Sequence, residues 1–360
     1  MKLTEIARQR LANQHLIGPR LATPSGVVAT LGAVQAQDYP GAKWALAQRT
    51  LGAVDEAVEK EMTRGSILRT HVLRPTWHFV APADIRWMLA LTAPRVSAAM
   101  ASYNRKLELD STVFRRSNRA LARALEGGRE LTRTELSQVL RKAGIDVTGT
   151  QRLAHLMMQA ELDAVVCSGA RRGKQFTYAL LDERVPATPV IDRDEALLRL
   201  AKIYFTTRGP ATSKDFSWWS GLAAADVKRA IELARENLEQ HTEGRETYWF
   251  GESVSAKVKR APIAHLLPNY DEYFIGFKDR SAIGERLRKS RAKPPSQSFI
   301  ANLVMIDGQL VGGWTRGFTK DHVSVALNIV TQVTRAERKE VIAAATSYGE
   351  FLGLPVDIRV

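Results

Sequence analysis

Two glutamines separated by one residue, Gln35 and Gln37, are the side chains with the clearest potential for chemistry in this sequence. An amide is too weak to act as a strong base, but its carbonyl oxygen can hold and orient a water molecule. The pair lies at the end of a predicted helix, and residues two apart in a continuing helix point about 200° away from each other. Both amides can face one cleft only where the helix breaks, and Pro40 disfavours helical backbone at the residue before it. The pair alone is a weak motif that needs independent support.

Other catalytic signatures are absent from the sequence. It contains no glycine loop of the Walker type, no His-Glu-x-x-His, no Cys-x-x-Cys and no Gly-x-Ser-x-Gly. The single cysteine, Cys167, follows the apolar residues 164–166, which favours a buried structural thiol over a nucleophile. The seven histidines lack the spacing of metal ligands, apart from the loose pair His71 and His78. We therefore expect neither a metal nor another cofactor.

Charge is the strongest compositional signal. The 360 residues include 52 lysines and arginines against 38 aspartates and glutamates, which gives a formal net charge of +14. Such an excess attracts a polyanion, and the release of counterions from DNA or RNA supplies free energy of binding. An arginine-rich composition common to all proteins of the host is the alternative explanation. No apolar run approaches the roughly 18 residues of a membrane span, and residues 1–16 lack the apolar centre of a signal peptide, so we expect a cytoplasmic protein.

Two basic segments are the candidate contacts with phosphate. The first is the turn 169–174 of a predicted hairpin, and the second is the segment 278–293, which holds seven basic and two acidic residues. We predict that the second segment is a mobile loop. Ordinary solvated surface is the alternative for both. The candidate contacts are Arg171, Arg172 and Lys174 in the first segment and Arg286, Arg288, Lys289 and Arg291 in the second.

Helices and short strands alternate in a loosely repeated order, which predicts a mixed, mainly helical α+β protein of two to four modules. The middle repeat is the clearest, because Thr132 and Glu135 form a capping box at the start of one of its helices. Three helices followed by a hairpin with a basic tip are typical of a winged helix-turn-helix, which binds DNA through a helix and a wing. The predicted helices of this repeat are 117–125, 132–142 and 149–162, and its strands are 164–168 and 175–180.

The other repeats follow the same order of elements. In the first, Thr23 and Pro24 announce a helix with apolar residues at helical spacing as far as Val34. The further helices predicted in the first and third repeats are 4–16, 43–49, 54–63, 192–207, 214–220 and 223–240, and the strands of the first are 66–69 and 76–80. The C-terminal elements are strands 300–306, 309–314 and 322–329 and a helix over 335–351. The predicted modules are three winged helices over 1–105, 106–190 and 191–260 and a β-rich region over 261–360.

Five blocks spread over nearly the whole chain support the glutamine pair. In order along the sequence they are 31–38, 71–80, 208–212 with Trp218-Trp219, 266–273 and 307–314. Together these blocks resemble the AlkZ/YcaQ family of winged-helix DNA glycosylases. Because they cover most of the chain in the right order, the resemblance is specific.

The resemblance implies tandem winged helices around a concave DNA-binding surface, and a catalytic pair that is Gln-x-Gln in the AlkZ branch and Gln-x-Asp in the YcaQ branch. Gln35 and Gln37 place the chain in the AlkZ branch. Asp38 lies one residue beyond the position of the YcaQ carboxylate and is not expected to replace it. It remains a supporting candidate with His71, Trp77 and His78. The family's DNA-contacting hairpin corresponds to 315–322, with the candidate contacts Arg316, Lys320 and His322.

The implied reaction is hydrolysis of the N-glycosidic bond of N-alkylated purines, including purines in interstrand crosslinks. A purine alkylated at N7 already carries a positive charge and departs without a general acid, so positioning of water and electrostatics suffice. Two neutral amides therefore suit cationic lesions and suit neutral ones poorly. The expected partner is double-stranded DNA with alkylated or crosslinked purines, bound by a monomer associated with the nucleoid.

Structural explanations compete with these assignments. The glutamine pair could cap a helix end, His71 and His78 could be satisfied structural histidines, and Trp218 and Trp219 could be core side chains instead of a platform for a base. A non-catalytic winged-helix regulator or architectural protein is the alternative function. Release of free 7-methylguanine from alkylated DNA separates the two functions.

Overall fold

The computed structural model describes residues 1–252, 262–290 and 302–359. The first elements are α1 (Leu3–Asn13), α2 (Pro24–Leu31), β1 (Ala33–Gln35), α3 (Tyr39–Ala47), α4 (Asp55–Arg64), β2 (Leu68–His71), β3 (Trp77–Val80) and α5 (Pro82–Lys106). The three strands form an antiparallel sheet in the order β1–β3–β2. As the sequence predicts, Thr23 caps α2 by accepting a hydrogen bond from the backbone of Gly26, with Pro24 in the first turn.

The middle part of the chain has the predicted three helices and hairpin. Its elements are α6 (Ser111–Leu125), β4 (Leu131–Thr132), α7 (Arg133–Lys142), α8 (Gly149–Leu162), β5 (Val166–Ser168), β6 (Thr177–Leu180) and α9 (Leu181–Arg184). The capping box of Thr132 and Glu135 is present. The strands form a sheet in the order β4–β6–β5. The leucines of the helices, including Leu121, Leu136 and Leu156, form a hydrophobic core that belongs to this part alone.

The third part has α10 (Arg193–Arg208), α11 (Ser213–Ser220), α12 (Ala224–Ala234), β7 (Glu239–Glu243) and β8 (Glu246–Phe250). The predicted helix over 223–240 is wrong at its end. After Ala234 one turn of 3-10 helix leads into β7, which pairs with β8 from Glu239 opposite Phe250. The ladder therefore takes the backbone groups that a longer helix would have needed.

The C-terminal region is built on a five-stranded sheet. Its elements are β9 (Ala264–Leu267), α13 (Glu272–Ile275), α14 (Ser281–Lys289), β10 (Leu303–Ile306), β11 (Gln309–Phe318), β12 (Val323–Ile329), α15 (Arg335–Leu352) and β13 (Val356–Arg359). The strand order is β13–β12–β11–β10–β9, and only β12 and β13 run parallel. The predicted mixed α+β fold class is confirmed.

Two hydrophobic cores join parts of the chain that are far apart in sequence. One core includes Leu68 of the first part, Phe216 of the third and Leu303 of the C-terminal region. The other joins Trp44 to Tyr348. The first part, the third part and the C-terminal region therefore pack together around shared cores, and the module boundaries given above stay a prediction. None of the described helices is both long enough and apolar enough to cross a membrane.

The structure corrects the sequence prediction at two further places. The described part of the segment 278–293, residues 278–290, is not a mobile loop, because α14 occupies most of it, with Ala282 and Ile283 buried and an i,i+4 ion pair between Glu285 and Lys289. Arg291, one of its candidate contacts, lies outside the described residues. The helix α5, 25 residues long, was not predicted.

Candidate active site

A strand, and not the end of a helix, carries the first glutamine. Helix α2 ends at Leu31, and Gly32 follows with φ of 76°. A Cβ at this glycine would lie 2.7 Å from the side chain of Ile203, so both the backbone conformation and the close contact require glycine. The chain then runs extended through Gln35. Extended backbone removes the separation of about 200° that a continuing helix would impose on the two amides.

Gln35 is held at both its backbone and its side chain. Its backbone N–H donates to Oε1 of Glu272 at 2.9 Å, and its side-chain Oε1 accepts from Nη2 of Arg74 at 3.0 Å. A guanidinium only donates, so this contact fixes which end of the Gln35 amide is the oxygen. Burial lowers the pKa of the Arg74 guanidinium, and the nearby Glu272 carboxylate acts in the opposite direction. The first glutamine is therefore oriented by two charged side chains.

Glu272 is the centre of a buried charged network beneath β1. Its Oε2 accepts from Nη2 of Arg208 at 2.6 Å and from Nε1 of Trp219 at 3.0 Å. Arg208 also donates to the backbone oxygens of Leu31 and Ala33, at 2.9 and 3.0 Å. Both members of the ion pair are fully buried. Because a buried charge without its partner is strongly unfavourable, this network fixes the end of α2 and the start of β1.

Gln37 is held more loosely than its neighbour two residues away. Its side chain is exposed, and its Oε1 lies 3.4 Å from the backbone nitrogen of Trp77, at the weak end of the hydrogen-bond range. The backbone N–H of Ala36 donates to the carbonyl of Trp77 at 2.7 Å. The second glutamine is therefore free to meet a ligand at the edge of the first sheet.

Trp77 lies between two side chains of the neighbouring strand. The guanidinium of Arg69 lies 4.3 Å from its ring, and the ring of His71 lies 4.4 Å from it. Nδ1 of His71 makes a short contact with Glu161 of α8, whose carboxylate also accepts the backbone N–H of His71 at 2.8 Å. His71 is buried and links the first part of the chain to the second. The structural explanation therefore accounts for His71, and a catalytic role stays a prediction.

His78 lies beside Gln35, since the two residues are partners across β1 and β3. Its Nδ1 bonds to the carbonyl of Thr76 at 2.9 Å, and its Nε2 has no hydrogen-bond partner among the described residues. Complete burial, with Arg74 close by, lowers the pKa of His78 well below its usual value. The ring is neutral at pH 7 and cannot supply a proton as an imidazolium would.

Asp38, next to Gln37, makes structural contacts with α3 and with the C-terminal hairpin of β11 and β12. It caps α3 through the backbone N–H of Gly41 at 3.3 Å, so this helix begins at Tyr39, earlier than the predicted 43. Its carboxylate also pairs with Nη2 of Arg316 on β11 at 3.0 and 3.2 Å. Arg316 is half-buried, and its role in binding DNA stays a prediction.

The other candidate DNA contacts are exposed or half-buried, and half of them are in ion pairs. Arg171 pairs with Glu59, Arg172 with Glu135 and Arg286 with Glu337, at 2.8, 2.8 and 2.6 Å. The pair of Arg172 and Glu135 is exposed on both sides, and such pairs contribute about 0–1 kcal/mol, so a phosphate can replace this carboxylate. The pairs of Arg171 and Arg286 are half-buried. Lys174, Arg288, Lys289 and Lys320 are exposed, and His322 is half-buried and bonded to Thr319. Their contact with DNA stays a prediction.

The two adjacent tryptophans differ. Trp219 is fully buried against the Glu272 network, so it is a core side chain as the structural explanation held. Trp218 is 41% exposed and donates to the carbonyl of Ile275 at 2.9 Å.

Cys167 is buried, and desolvation raises the pKa of its thiol to about 12, which fits an inert structural cysteine. No cluster of three or more metal-ligating side chains occurs in the described part of the chain.

Arg74, Arg208 and Glu272 are the site residues that the sequence analysis did not single out. Each lies in one of the blocks that carried the resemblance, 71–80, 208–212 and 266–273. Charged side chains within blocks of mostly apolar or turn-forming residues are a signal from which burial of Arg208 and Glu272 could have been suspected. Their pairing could not, because 64 positions separate Arg208 from Glu272.

A mixed α+β fold, a net charge of +14 and two amides at the edge of a small sheet together fit a protein that acts on nucleic acid. Comparison with known proteins gives its family. The model of the family described as "DNA glycosylase AlkZ-like" matches residues 28–351. The chain therefore belongs to the AlkZ-like DNA glycosylase family, and it is a DNA glycosylase.

A curated relative and a solved structure agree with this assignment. The chain is 26% identical over 319 residues to a protein of Streptomyces sahachiroi named "Interstrand DNA cross-link repair glycosylase", with 85% of each chain covered. It also resembles the structure of Streptomyces sahachiroi DNA glycosylase AlkZ, with a TM-score of 0.79, 24% identity and 99% of both chains covered. This second likeness supports the overall fold.

Proposed function

We propose that this protein hydrolyses the N-glycosidic bond of cationic N-alkylated purines in double-stranded DNA, with Gln35 and Gln37 holding the attacking water. In this reaction the bond from C1′ to the purine nitrogen breaks, and its electron pair neutralises the cationic base. The water oxygen bonds to C1′ and its proton passes to solvent. Since no general acid is needed for such a leaving group, the neutral state of His78 is compatible with the reaction.

The orientation of Gln35 is the observation that carries the proposal. Arg74 occupies one lone pair of its Oε1, while Glu272 holds its backbone, so the second lone pair and the amide N–H groups keep a defined direction. Holding a reactant in one geometry contributes several kcal/mol to catalysis. The looser Gln37 completes the contact to water at the exposed edge of the sheet. We infer that the enzyme is monofunctional because its nucleophile is water.

We also infer that purines tied into interstrand crosslinks are substrates. The support is the curated relative, which is named for crosslink repair and aligns over 85% of both chains. Arg316 of the hairpin of β11 and β12 pairs with Asp38, which follows the glutamine pair in sequence. A contact of this hairpin with DNA would therefore bring the DNA close to the glutamine pair. We infer that the protein acts as a monomer on chromosomal DNA in the cytoplasm.

Release of free 7-methylguanine from methylated duplex DNA tests the proposal. Under single-turnover conditions the wild type should free the base, while Gln35→Ala should be slower by roughly 100-fold, because a positioning contact is lost. DNA affinity should change little. If the wild type binds methylated DNA and never frees base, the proposed reaction is wrong and a binding role remains.

A further inference from the structure

A cavity of about 800 Å³ lies between α11, α12 and β8, within the size range of sites for small molecules. Part of its lining is apolar and consists of Trp218, Trp249, Leu222, Val227 and Ile231. Trp218 is among the large hydrophobic side chains that the described part of the chain leaves exposed. A broad aromatic surface open to solvent is suited to stacking a planar ring.

The rim of the cavity is strongly basic. Five cationic side chains line it together with one carboxylate, that of Glu232, which lies 3.9 Å from Lys228. Glu246 outside the cavity lining pairs with Lys214 at 2.7 Å. Even with both carboxylates counted, positive charge exceeds negative charge by three. The cationic residues are Arg95, Lys214, Lys228, Arg235 and Lys278.

The cavity is connected to the first glutamine through one residue. The guanidinium of Arg74 donates to Oε1 of Gln35 at 3.0 Å and lies 6.0 Å from the ring of Trp218. The guanidinium of Arg280 also lies 5.9 Å from this ring. A planar base stacked on Trp218 would therefore be linked through the Arg74 guanidinium to the amide that we propose holds the water. Neither the glutamine pair nor the hairpin explains why an indole should be exposed at this distance.

We propose that this cavity receives one nucleotide turned out of the DNA helix, with its base against Trp218 and its phosphates on the basic rim. The inference rests on the proposed function and names the place of its substrate nucleotide. The chemistry matches at both ends, because an indole face attracts a cationic purine and lysine or arginine attracts phosphate. Enzymes that act on a base within a duplex commonly extrude it into such a pocket.

The test uses the full-length protein and the probe 7-methylguanosine 5′-monophosphate in isothermal titration calorimetry. Trp218→Ala should weaken binding of the probe by roughly tenfold or more, because stacking of a base on an aromatic ring is lost. Trp218→Phe also loses the hydrogen bond to Ile275 but keeps a ring, so it should retain most of the affinity. Tyr103→Ala, which removes an exposed ring outside the cavity, is the matched control and should leave affinity unchanged.

A rim variant keeps the test decisive if Trp218→Ala does not fold. The side chain of Lys228 is 81% exposed, so Lys228→Gln should leave thermal unfolding unchanged and still weaken binding of the probe several-fold. Equal affinity of the wild type, Trp218→Ala and Lys228→Gln would overturn the proposal and leave the cavity open to a protein partner.

Base release separates this inference from the proposed function. If the wild type frees 7-methylguanine and Trp218→Ala does so at the same single-turnover rate, the cavity does not hold the substrate nucleotide, while the proposed function stands. If the probe binds through Trp218 but the wild type never frees base, the proposed function fails and nucleotide binding in the cavity is still supported. A slower rate and weaker probe binding in Trp218→Ala, both restored by Phe, support both.

Discussion

The strand end at Gln35 and the turn between β5 and β6 use the same residue types in opposite ways. Arg208 and Glu272 pair at 2.6 Å with both side chains fully buried, whereas Arg172 and Glu135 pair at 2.8 Å with side chains 54% and 40% exposed. The distances are similar and the environments are not. Breaking a buried pair leaves a charge without water, but a surface pair exchanges its partner at little cost in free energy. Buried charge therefore fixes the geometry of the site, and exposed charge is available to DNA.

The largest expected effect is on the buried pair. Glu272→Gln keeps the shape of the side chain but leaves the Arg208 guanidinium without a counter-charge, so we expect a loss of about 3–5 kcal/mol in the free energy of unfolding. Base release should fall with it, since the backbone of Gln35 loses its charged partner. Denaturant unfolding measures the first effect and single-turnover kinetics the second.

The control for this variant is Asp182→Asn, which breaks the surface pair with Arg86, where the carboxylate side chain is 82% exposed. It should change the free energy of unfolding by no more than about 1 kcal/mol. Equal losses in Glu272→Gln and Asp182→Asn would remove the distinction between the two regions.

A second difference between buried and exposed groups concerns pH, because burial disfavours the protonated form of a histidine. Desolvation lowers the pKa of His265 from 6.5 to about 4, and that of His78 falls well below its usual value. In the unfolded chain His265 takes up a proton as the pH drops below 6.5, and in the folded protein it does so only at about pH 4. The contribution of these two histidines to stability is therefore fully present above pH 6.5 and is lost as the pH falls, with His265 accounting for about 3 kcal/mol by pH 4.

Comparison with His265→Gln isolates this contribution from the titration of carboxylates. The free energy of unfolding of the variant should depend less steeply on pH between 6.5 and 4 than that of the wild type. Parallel pH profiles for the two proteins would show that His265 is not held neutral by burial.

The smallest expected effect is at the tip of the hairpin, where a substitution should change DNA binding without changing the free energy of unfolding. Lys320 is exposed at the turn between β11 and β12, so Lys320→Ala should leave thermal unfolding unchanged. Affinity for duplex DNA should fall steeply with salt in the wild type. In the variant the slope of log K against log salt should be smaller by about 0.9, the value for one phosphate contact.

Arg316→Ala is the contrasting variant at this hairpin. Because Arg316 pairs with Asp38, the variant should weaken DNA binding and also lower stability. A salt slope that is the same in wild type and Lys320→Ala would mean that the hairpin tip does not reach DNA.

Local patterns predicted elements whose signals lie within a few residues. The cap at Thr23, the capping box at Thr132 and the helix Gly149–Leu162 appear in the structure where the sequence placed them. The prediction failed at β1. Val34 continues the helical spacing of the apolar residues in α2, but the helix ends before Gly32. Gly32 combines a positive φ with a contact to Ile203 of a distant helix that leaves no room for a Cβ.

The glutamine pair and the family were accessible from the sequence, but the surroundings of the pair were not. The partners of Gln35 and Asp38 are Glu272 and Arg316, which lie 237 and 278 positions away. No rule of sequence spacing predicts a contact between residues this far apart, because the contact depends on how the whole chain folds. The same limit hid the difference between Trp218 and Trp219, since adjacent residues on a helix can face the core and the solvent.

The most direct test of the central claim compares Gln37→Asp with Gln37→Leu in single-turnover release of 7-methylguanine. The aspartate recreates the Gln-x-Asp pair and adds a negative charge that stabilises a cationic sugar, so this variant should keep activity. Leucine has similar bulk without a hydrogen-bonding group, and its rate should fall by roughly 100-fold while DNA affinity stays near that of the wild type. If both variants release base at the wild-type rate, the amides do not hold the attacking water and the catalytic assignment is wrong.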